Sequence, residues 1–217
     1  MGSRSFGQYC GVSRALETVG ERWALLVVRD LLVGPRRFSD LRRGLPRIPT
    51  NILSARLREL EDAGVVERTL LPRPETGVAY ALTPLGRQLE PAVLALGRWG
   101  ATLLGDPRAG EVVTVDSLVI ALRAAFRPER AAGVHLGFEL RFGALTLHAR
   151  VDDGALAAGP GALDAPDLVI EAGPSLRALL DGTLLPAAAL RRGDVRLTGD
   201  RALLDRFVAL FHTGAAA

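Results

Sequence analysis

The 217-residue sequence contains no lysine, a single cysteine and no long run of apolar residues. One cysteine excludes an intramolecular disulfide and argues against a cysteine-based metal site. No apolar run approaches the roughly 18 residues that a membrane-spanning helix needs, and the first residues lack the apolar stretch of a secretory signal. We therefore expect a cytoplasmic protein that does not enter the membrane and depends on no disulfide, metal or other cofactor.

Arginine occupies all 27 basic positions, as is typical of GC-rich genomes, and these arginines are unevenly spread. Residues 1–105 hold 15 arginines against 10 acidic residues, whereas residues 106–217 hold 12 against 14. Eight arginines lie between Arg29 and Arg58, where the only acidic residues are Asp30 and Asp40. A charge cluster is usually a solvated face, but this one coincides with a helical pattern and therefore favours a polyanionic partner.

Apolar periodicity in the first half predicts four helices, a two-stranded hairpin and a closing helix. Ser39 is the predicted N-cap of the third helix, and Gly64 is the predicted terminating glycine of the fourth. The helices are predicted at 12–19, at 21–32, in a short segment opening at Phe38, at 50–63 and, with interruptions, from 84 to about 104, with strands at 65–70 and 78–82.

The second half has the pattern of a sheet domain, and residues 105–110 have the composition of a linker before it. We therefore predict two domains, 1–105 and 112–217. Strict alternation from Val134 to Phe142 and from Leu145 to Val151, around Gly143, predicts an antiparallel hairpin with one buried face. Further strands are predicted at 168–171 and 195–198, helices at 116–126, 175–180, 186–192 and 202–211, and a loop at 154–161. The fold class is α+β.

The first half has the element order of a winged helix-turn-helix domain, whose second helix enters the major groove of DNA. At 100° per residue, Leu53, Leu57 and Leu60 form the buried stripe of the 50–63 helix, and polar residues point the opposite way. Asparagine can pair with adenine and arginine with guanine, while arginines near a helix start or in the wing suit phosphates. An ordinary polar surface is the alternative for any one position. The predicted DNA-binding residues are Arg36, Arg37, Ser39, Thr50, Asn51, Ser54, Arg56, Arg58 and Arg73.

Four motifs in chain order resemble the family of bacterial HxlR-type regulators, over roughly residues 8–104. The resemblance implies a homodimer in which terminal helices pair and two recognition helices address a palindromic site on double-stranded DNA. The motifs are Gly20-Glu21-Arg22-Trp23 with the apolar run after it, Arg37-Phe38-Ser39-Asp40-Leu41, Leu53-Ser54-Ala55-Arg56-Leu57-Arg58-Glu59-Leu60-Glu61 and Leu82-Thr83-Pro84-Leu85-Gly86.

Cys10 matches a cysteine near the N-terminus of that family, which senses oxidants or electrophiles in some members. This chain departs from the family pattern at Gly11, where proline is usual, and at Pro49, where many members have a polar helix cap. No neighbour in the sequence obviously lowers the pKa of the thiol. We therefore expect Cys10 to be a packing residue, with redox sensing as the alternative.

The second half is similar to the sterol carrier protein-like domain. The similarity rests on the hairpin, on 167–174 leading into 176–182, and on 192–200 before a closing helix. It implies an apolar cavity between sheet and helices that binds a hydrophobic small molecule. The cavity would be lined by Phe138, Leu140, Phe142, Leu145 and Leu147. A core that these side chains simply fill is the alternative.

Catalytic motifs are missing from the sequence. His135, His148 and His212 are far apart, and neither Gly-x-Ser-x-Gly nor His-Glu-x-x-His occurs. The sequence therefore predicts a dimeric regulator whose DNA affinity responds to a hydrophobic effector, and not an enzyme. Two alternatives stay open: a second domain that serves only assembly, and an enzyme carried by the second domain.

Overall fold

The computed structural model describes residues 5–71, 74, 76–105 and 107–213. It divides into two compact units, one ending at Val93 and the other beginning at Leu94. This division falls within a helix, ahead of the segment 105–110 that the sequence favours as a linker. In the described part of the chain, no helix is both long and apolar enough to cross a membrane.

The first unit contains four helices, a two-stranded antiparallel sheet and a short helix after it. Its elements are α1 (Gly11–Val19), α2 (Ala24–Val33), α3 (Phe38–Gly44), α4 (Thr50–Asp62), β1 (Val66–Leu70), β2 (Val78–Leu82) and α5 (Pro84–Arg87), and α6 (Glu90–Ala101) carries the division between the units. Each of α2, α3 and α4 buries leucines completely, among them Leu31, Leu41 and Leu57. Gly64 has a φ of +69° just after α4, which confirms its predicted terminating role.

One predicted feature of the first unit differs from the structure, and another is confirmed. Ser39 does not cap α3, because that helix begins one residue earlier, at Phe38, and the carboxylate of Asp40 accepts the backbone N–H of Arg37 at 3.2 Å. The predicted interruption of the helix from 84 to 104 is confirmed, since the segment is divided into α5 and α6. Pro91 explains the break, because proline has no N–H to donate and its ring clashes with the carbonyl four residues earlier.

The second unit is a five-stranded sheet with helices. Its elements after α6 are α7 (Val115–Ala125), a 3-10 turn (Pro128–Arg130), β3 (His135–Phe142), β4 (Leu145–Asp152), β5 (Ala155–Pro160), β6 (Leu168–Glu171), α8 (Ser175–Leu180), α9 (Pro186–Arg192), β7 (Arg196–Gly199) and α10 (Leu203–Leu210). The strand order is β5-β4-β3-β6-β7. The predicted hairpin is confirmed, since β3 and β4 pair antiparallel with Phe138 opposite Ala149. Among the described strands of this sheet, only β3 and β6 pair in parallel.

The prediction of a loop at 154–161 is wrong, because β5 lies there and pairs with β4 along its whole length. Small residues fill this strand, so it shows no apolar alternation and resembles a loop in composition. The guanidinium of Arg123 on α7 donates to the carbonyl oxygen of Ala158 at 2.8 Å.

The β3–β4 hairpin buries the predicted apolar face, but the centre of the opposite face of β3 is buried as well, which the alternation did not predict. Glu139, on the expected polar face, is 4% exposed. The segment 161–167 covers this face, because the N–H of Leu163 donates to the carboxylate of Glu139 at 3.1 Å and Asp167 accepts the N–H of Gly137 at 2.7 Å. The carboxylate of Glu139 is also paired with Arg141 at 2.7 Å. Strand β3 is therefore covered on both sides at Gly137 and Glu139, whereas His135 and Arg141 on the same face are exposed.

Candidate nucleic-acid interface

Helix α4 presents a polar face to solvent and anchors the opposite face in the core. Leu53, Leu57 and Leu60 are at most 1% exposed, as the helical period predicts. Thr50, Asn51, Ser54 and Arg58 are all exposed. The hydroxyl of Ser54 donates to the carbonyl oxygen of Thr50 at 3.0 Å, which leaves its lone pairs facing solvent. In the described part of the chain, Arg58 has no ion-pair partner, so its guanidinium is available to an external acceptor.

The arginines at the start of α3 join this helix to the hairpin. The backbone of Arg36 pairs with Tyr80 of β2 through two hydrogen bonds of 2.9 and 2.8 Å, which adds an antiparallel bridge beside the hairpin. The guanidinium of Arg37 donates to the carbonyl oxygen of Thr76 at 2.9 Å. Both arginines are half-buried, and Ser39 is exposed in the first turn of α3. Arg73, predicted to contact phosphate from the wing, lies outside the described residues.

Arg68 on β1 was not singled out by sequence reasoning and helps to fix the hairpin. Its Nε lies 2.9 Å from a carboxylate oxygen of Glu61 at the end of α4, and its guanidinium lies 5.8 Å from the centroid of the Tyr80 ring. The hydrogen bond to Glu61 raises the pKa of Arg68 above its ordinary value. This contact spans seven residues across an irregular segment, so no helical or strand period reveals it.

Arg56 lies in a different environment from the other predicted DNA-binding residues of α4. Its side chain is 14% exposed, and its guanidinium lies 2.6 Å from Glu59 and 3.6 Å from Glu21. An arginine held by two carboxylates is not presented to a base edge. The structure therefore separates Arg56 from the exposed group of Asn51, Ser54 and Arg58.

Residues 18–107 match the family model of the HxlR-like helix-turn-helix. A curated relative, the uncharacterized HTH-type transcriptional regulator YvaP of Bacillus subtilis (strain 168), is 38% identical over 94 residues, covering 43% of this chain and 86% of that protein. The chain belongs to the HxlR-like helix-turn-helix family. Its relatives are HTH-type transcriptional regulators, and a role as a DNA-binding regulator agrees with the exposed polar face of α4.

Solved structures add two likenesses to this HxlR-like chain. The redox regulator HypR in its reduced form is 35% identical, with a TM-score of 0.39, over 43% of this chain and 92% of that chain. The inverting sec-alkylsulfatase Pisa1 from Pseudomonas sp. is 22% identical, with a TM-score of 0.43, over 46% of this chain and 16% of that chain. The family assignment rests on the sequence matches, since both TM-scores are low.

Cys10 of this HxlR-like chain is exposed, so the expectation that it is a packing residue is wrong. It occupies the N-cap position of α1, where backbone N–H groups point outward. The nearby backbone N–H groups of Ser13 and Val12 lower the pKa of the thiol below its ordinary value. The sequence did not reveal this cause, because it depends on where the helix begins.

The residues predicted to line a cavity in the second unit lie in two environments. Phe138, Leu140 and Leu147 are at most 1% exposed. The ring of Phe138 lies 5.2 Å from that of Phe207 and 6.2 Å from that of Phe211, both edge-on. A void large enough for water would leave accessible surface on its walls, so none adjoins Phe138 or Leu147. Phe142 and Leu145, next to the hairpin turn, are half-buried.

Proposed function

We propose that this HxlR-like protein is a homodimeric cytoplasmic regulator that places one α4 helix of each protomer in the major groove of a palindromic operator. The observation that carries the proposal is the exposed set of Asn51, Ser54 and Arg58 on a helix anchored by buried leucines. Amide and guanidinium groups on a fixed helix suit the donor and acceptor pattern of base edges in that groove. Arg36 and Arg37, at the junction of α3 and the hairpin, suit the flanking phosphates.

Exposed apolar side chains support the dimer. On and before α1, Tyr9 is fully exposed, and Val12 and Leu16 are 68% and 47% exposed. On α6, Leu96 and Trp99 are 50% and 64% exposed. Apolar surface of this kind marks interaction sites, and both helices lie near the ends of the segment that resembles the family.

DNA binding is tested by fluorescence anisotropy with duplexes from the region upstream of the chain's own gene, at a series of salt concentrations. We expect specific affinity to fall steeply with salt, because arginine contacts release counterions from phosphates. Light scattering should give a dimer, alone and on the operator. A monomer that binds the operator as one copy, or an affinity independent of salt, would contradict the proposal.

Arg58→Ala tests the base-reading face directly. We expect it to relax preference at one base pair of each half-site and to cost about 1 to 3 kcal/mol in specific binding. Arg206→Ala is the matched control, because it removes the same charge from an exposed position on α10. If both variants lose affinity equally for every sequence, Arg58 contributes only charge.

For the second unit, the sterol carrier protein-like resemblance suggests a hydrophobic effector, but the packing around Phe138 favours the alternative of assembly. The rings of Phe138, Phe207 and Phe211 are fully buried against one another. Titration of the full-length protein with a fluorescent fatty acid separates the two roles. Assembly predicts no saturable binding, whereas one bound molecule per chain with a change in operator affinity would establish an effector site.

A further inference from the structure

The guanidinium of Arg56 pairs with two carboxylates from different parts of the first unit. Its two terminal nitrogens face the two carboxylate oxygens of Glu59, one turn along α4, at 2.6 and 3.0 Å. Its Nη1 also lies 3.6 Å from Glu21, which belongs to the connection between α1 and α2. Its Nε is buried and has no hydrogen-bond partner among the described residues. With 14% of its side chain exposed and two carboxylates beside its guanidinium, Arg56 does not reach outward.

The position of Arg56 on α4 agrees with a side chain that points inward. At 100° per residue it lies about 40° from Leu60 and about 60° from Leu53, which are buried, and about 160° from Arg58, which is exposed. Arg56 therefore points toward the body of the unit while Arg58 points to solvent.

The connection that carries Glu21 has a narrowly defined conformation. A Cβ at Gly20 would lie 2.4 Å from the carbonyl oxygen of Leu16, so only glycine fits there. Trp23 has a φ of +81°, which is unusual for a bulky side chain. The backbone N–H of Ala24 closes the turn onto the carbonyl oxygen of Glu21 at 3.0 Å. Glu21 is thus held at a defined point beside α4.

We propose that Arg56 is a positioning residue that ties the recognition helix to the α1–α2 connection. This inference rests on the proposed function and replaces direct DNA contact by Arg56. Glu59 orients the guanidinium of Arg56 on α4. Glu21 binds the same guanidinium and so holds α4 against the segment that follows α1. Because α1 carries exposed apolar side chains that the proposed dimer would bury, the tie also sets how far apart the two α4 helices lie.

The test compares Glu21→Gln, Arg56→Met and the double variant with the unchanged full-length protein. Removing a negative charge near DNA should by itself strengthen binding. We expect the opposite from Glu21→Gln: about 2- to 30-fold weaker operator binding, the range typical of residues that act at a distance. Arg56→Met should lose a similar amount, and the double variant should lose no more than Arg56→Met alone. Glu67→Gln, an exposed glutamate on β1, is the matched control and should not weaken binding.

Three further measurements distinguish positioning from contact and from simple loss of stability. The order of preference among operator base substitutions and the salt slope should be unchanged in both variants, and non-specific binding should be retained. A preference relaxed at one base pair in Arg56→Met, or a salt slope smaller by about one phosphate, would show direct DNA contact and overturn the inference. Unchanged operator affinity in Glu21→Gln would overturn it as well.

Hydrogen exchange provides a test that does not depend on DNA. The tie predicts faster exchange of the α4 amides in Glu21→Gln and Arg56→Met but not in Glu67→Gln. Should the unchanged protein fail to distinguish any operator, the proposed function fails, and this exchange pattern still decides whether the tie exists. Equal exchange in all three variants would show that it does not.

Discussion

The packing around Phe138 makes a prediction that decides between a closed core and a ligand cavity. Phe138→Ala removes a ring with no exposed surface that contacts two other aromatic rings. In a closed core, such a truncation costs about 3 to 5 kcal/mol, because the lost contacts are not replaced and a cavity remains. This corresponds to about two to four orders of magnitude in the folding equilibrium constant. Phe142→Ala is the matched control, because Phe142 lies on the same strand but is half-buried.

Urea denaturation measures this cost in the second unit. The chain has two tryptophans, Trp23 in the first unit and Trp99 in the second. A Trp23→Phe background therefore leaves Trp99 to report on the unit that contains Phe138. We expect a large fall in the free energy of unfolding for Phe138→Ala and a clearly smaller one for Phe142→Ala. If Phe138→Ala costs no more than its control, below about 1 kcal/mol, the site already contains adaptable space and the closed-core interpretation is wrong.

Two further predictions concern the first unit and α6. Because the start of α1 lowers the pKa of its thiol, Cys10 should form thiolate at a lower pH than an ordinary cysteine. The pH at which iodoacetamide alkylates Cys10 at half its maximal rate should therefore be lower in the folded protein than in the urea-unfolded chain. Equal pH midpoints in the two states would contradict this. Gly86→Ala should destabilise the protein by about 1 to 3 kcal/mol in thermal unfolding, because the added Cβ would lie 2.1 Å from the carbonyl oxygen of Val65. Gly100→Ala, with open space around the added Cβ, should be neutral or stabilising by up to about 1 kcal/mol. Similar effects of the two alanines would refute the steric argument.

The features that could be predicted from sequence are those that a local period encodes. The buried stripe Leu53, Leu57 and Leu60 follows from the 3.6-residue repeat, and the exposed face of α4 follows with it. The β3–β4 hairpin follows from two alternating runs around Gly143. In each case the information lies within about a dozen neighbouring residues.

The features that could not be predicted depend on partners distant in sequence. Arg56 resembles any surface arginine until Glu21, from another connection, is found beside it. Glu139 follows the polar side of a period-2 pattern, and only the segment 161–167 makes it a buried residue. For β5 the obstacle is composition, because alanine, glycine and proline are all depleted in strands.

The edge position of β5 bears on how the second unit avoids pairing with other chains. The backbone N–H of Gly161, just after β5, donates to the carbonyl oxygen of Thr146 on β4. In an antiparallel pair, every second residue bonds to the neighbouring strand and the residues between direct their backbone groups away from it. The outward residues of β5 are therefore Leu156, Ala158 and Pro160. An uncharged edge strand of this kind is a ready template for aggregation. Here Arg123 occupies the outward carbonyl of Ala158, and Pro160 has no N–H to offer. At two of the three outward positions of this edge, one of the two backbone groups is thus unavailable to another strand, without a charged residue in β5 itself.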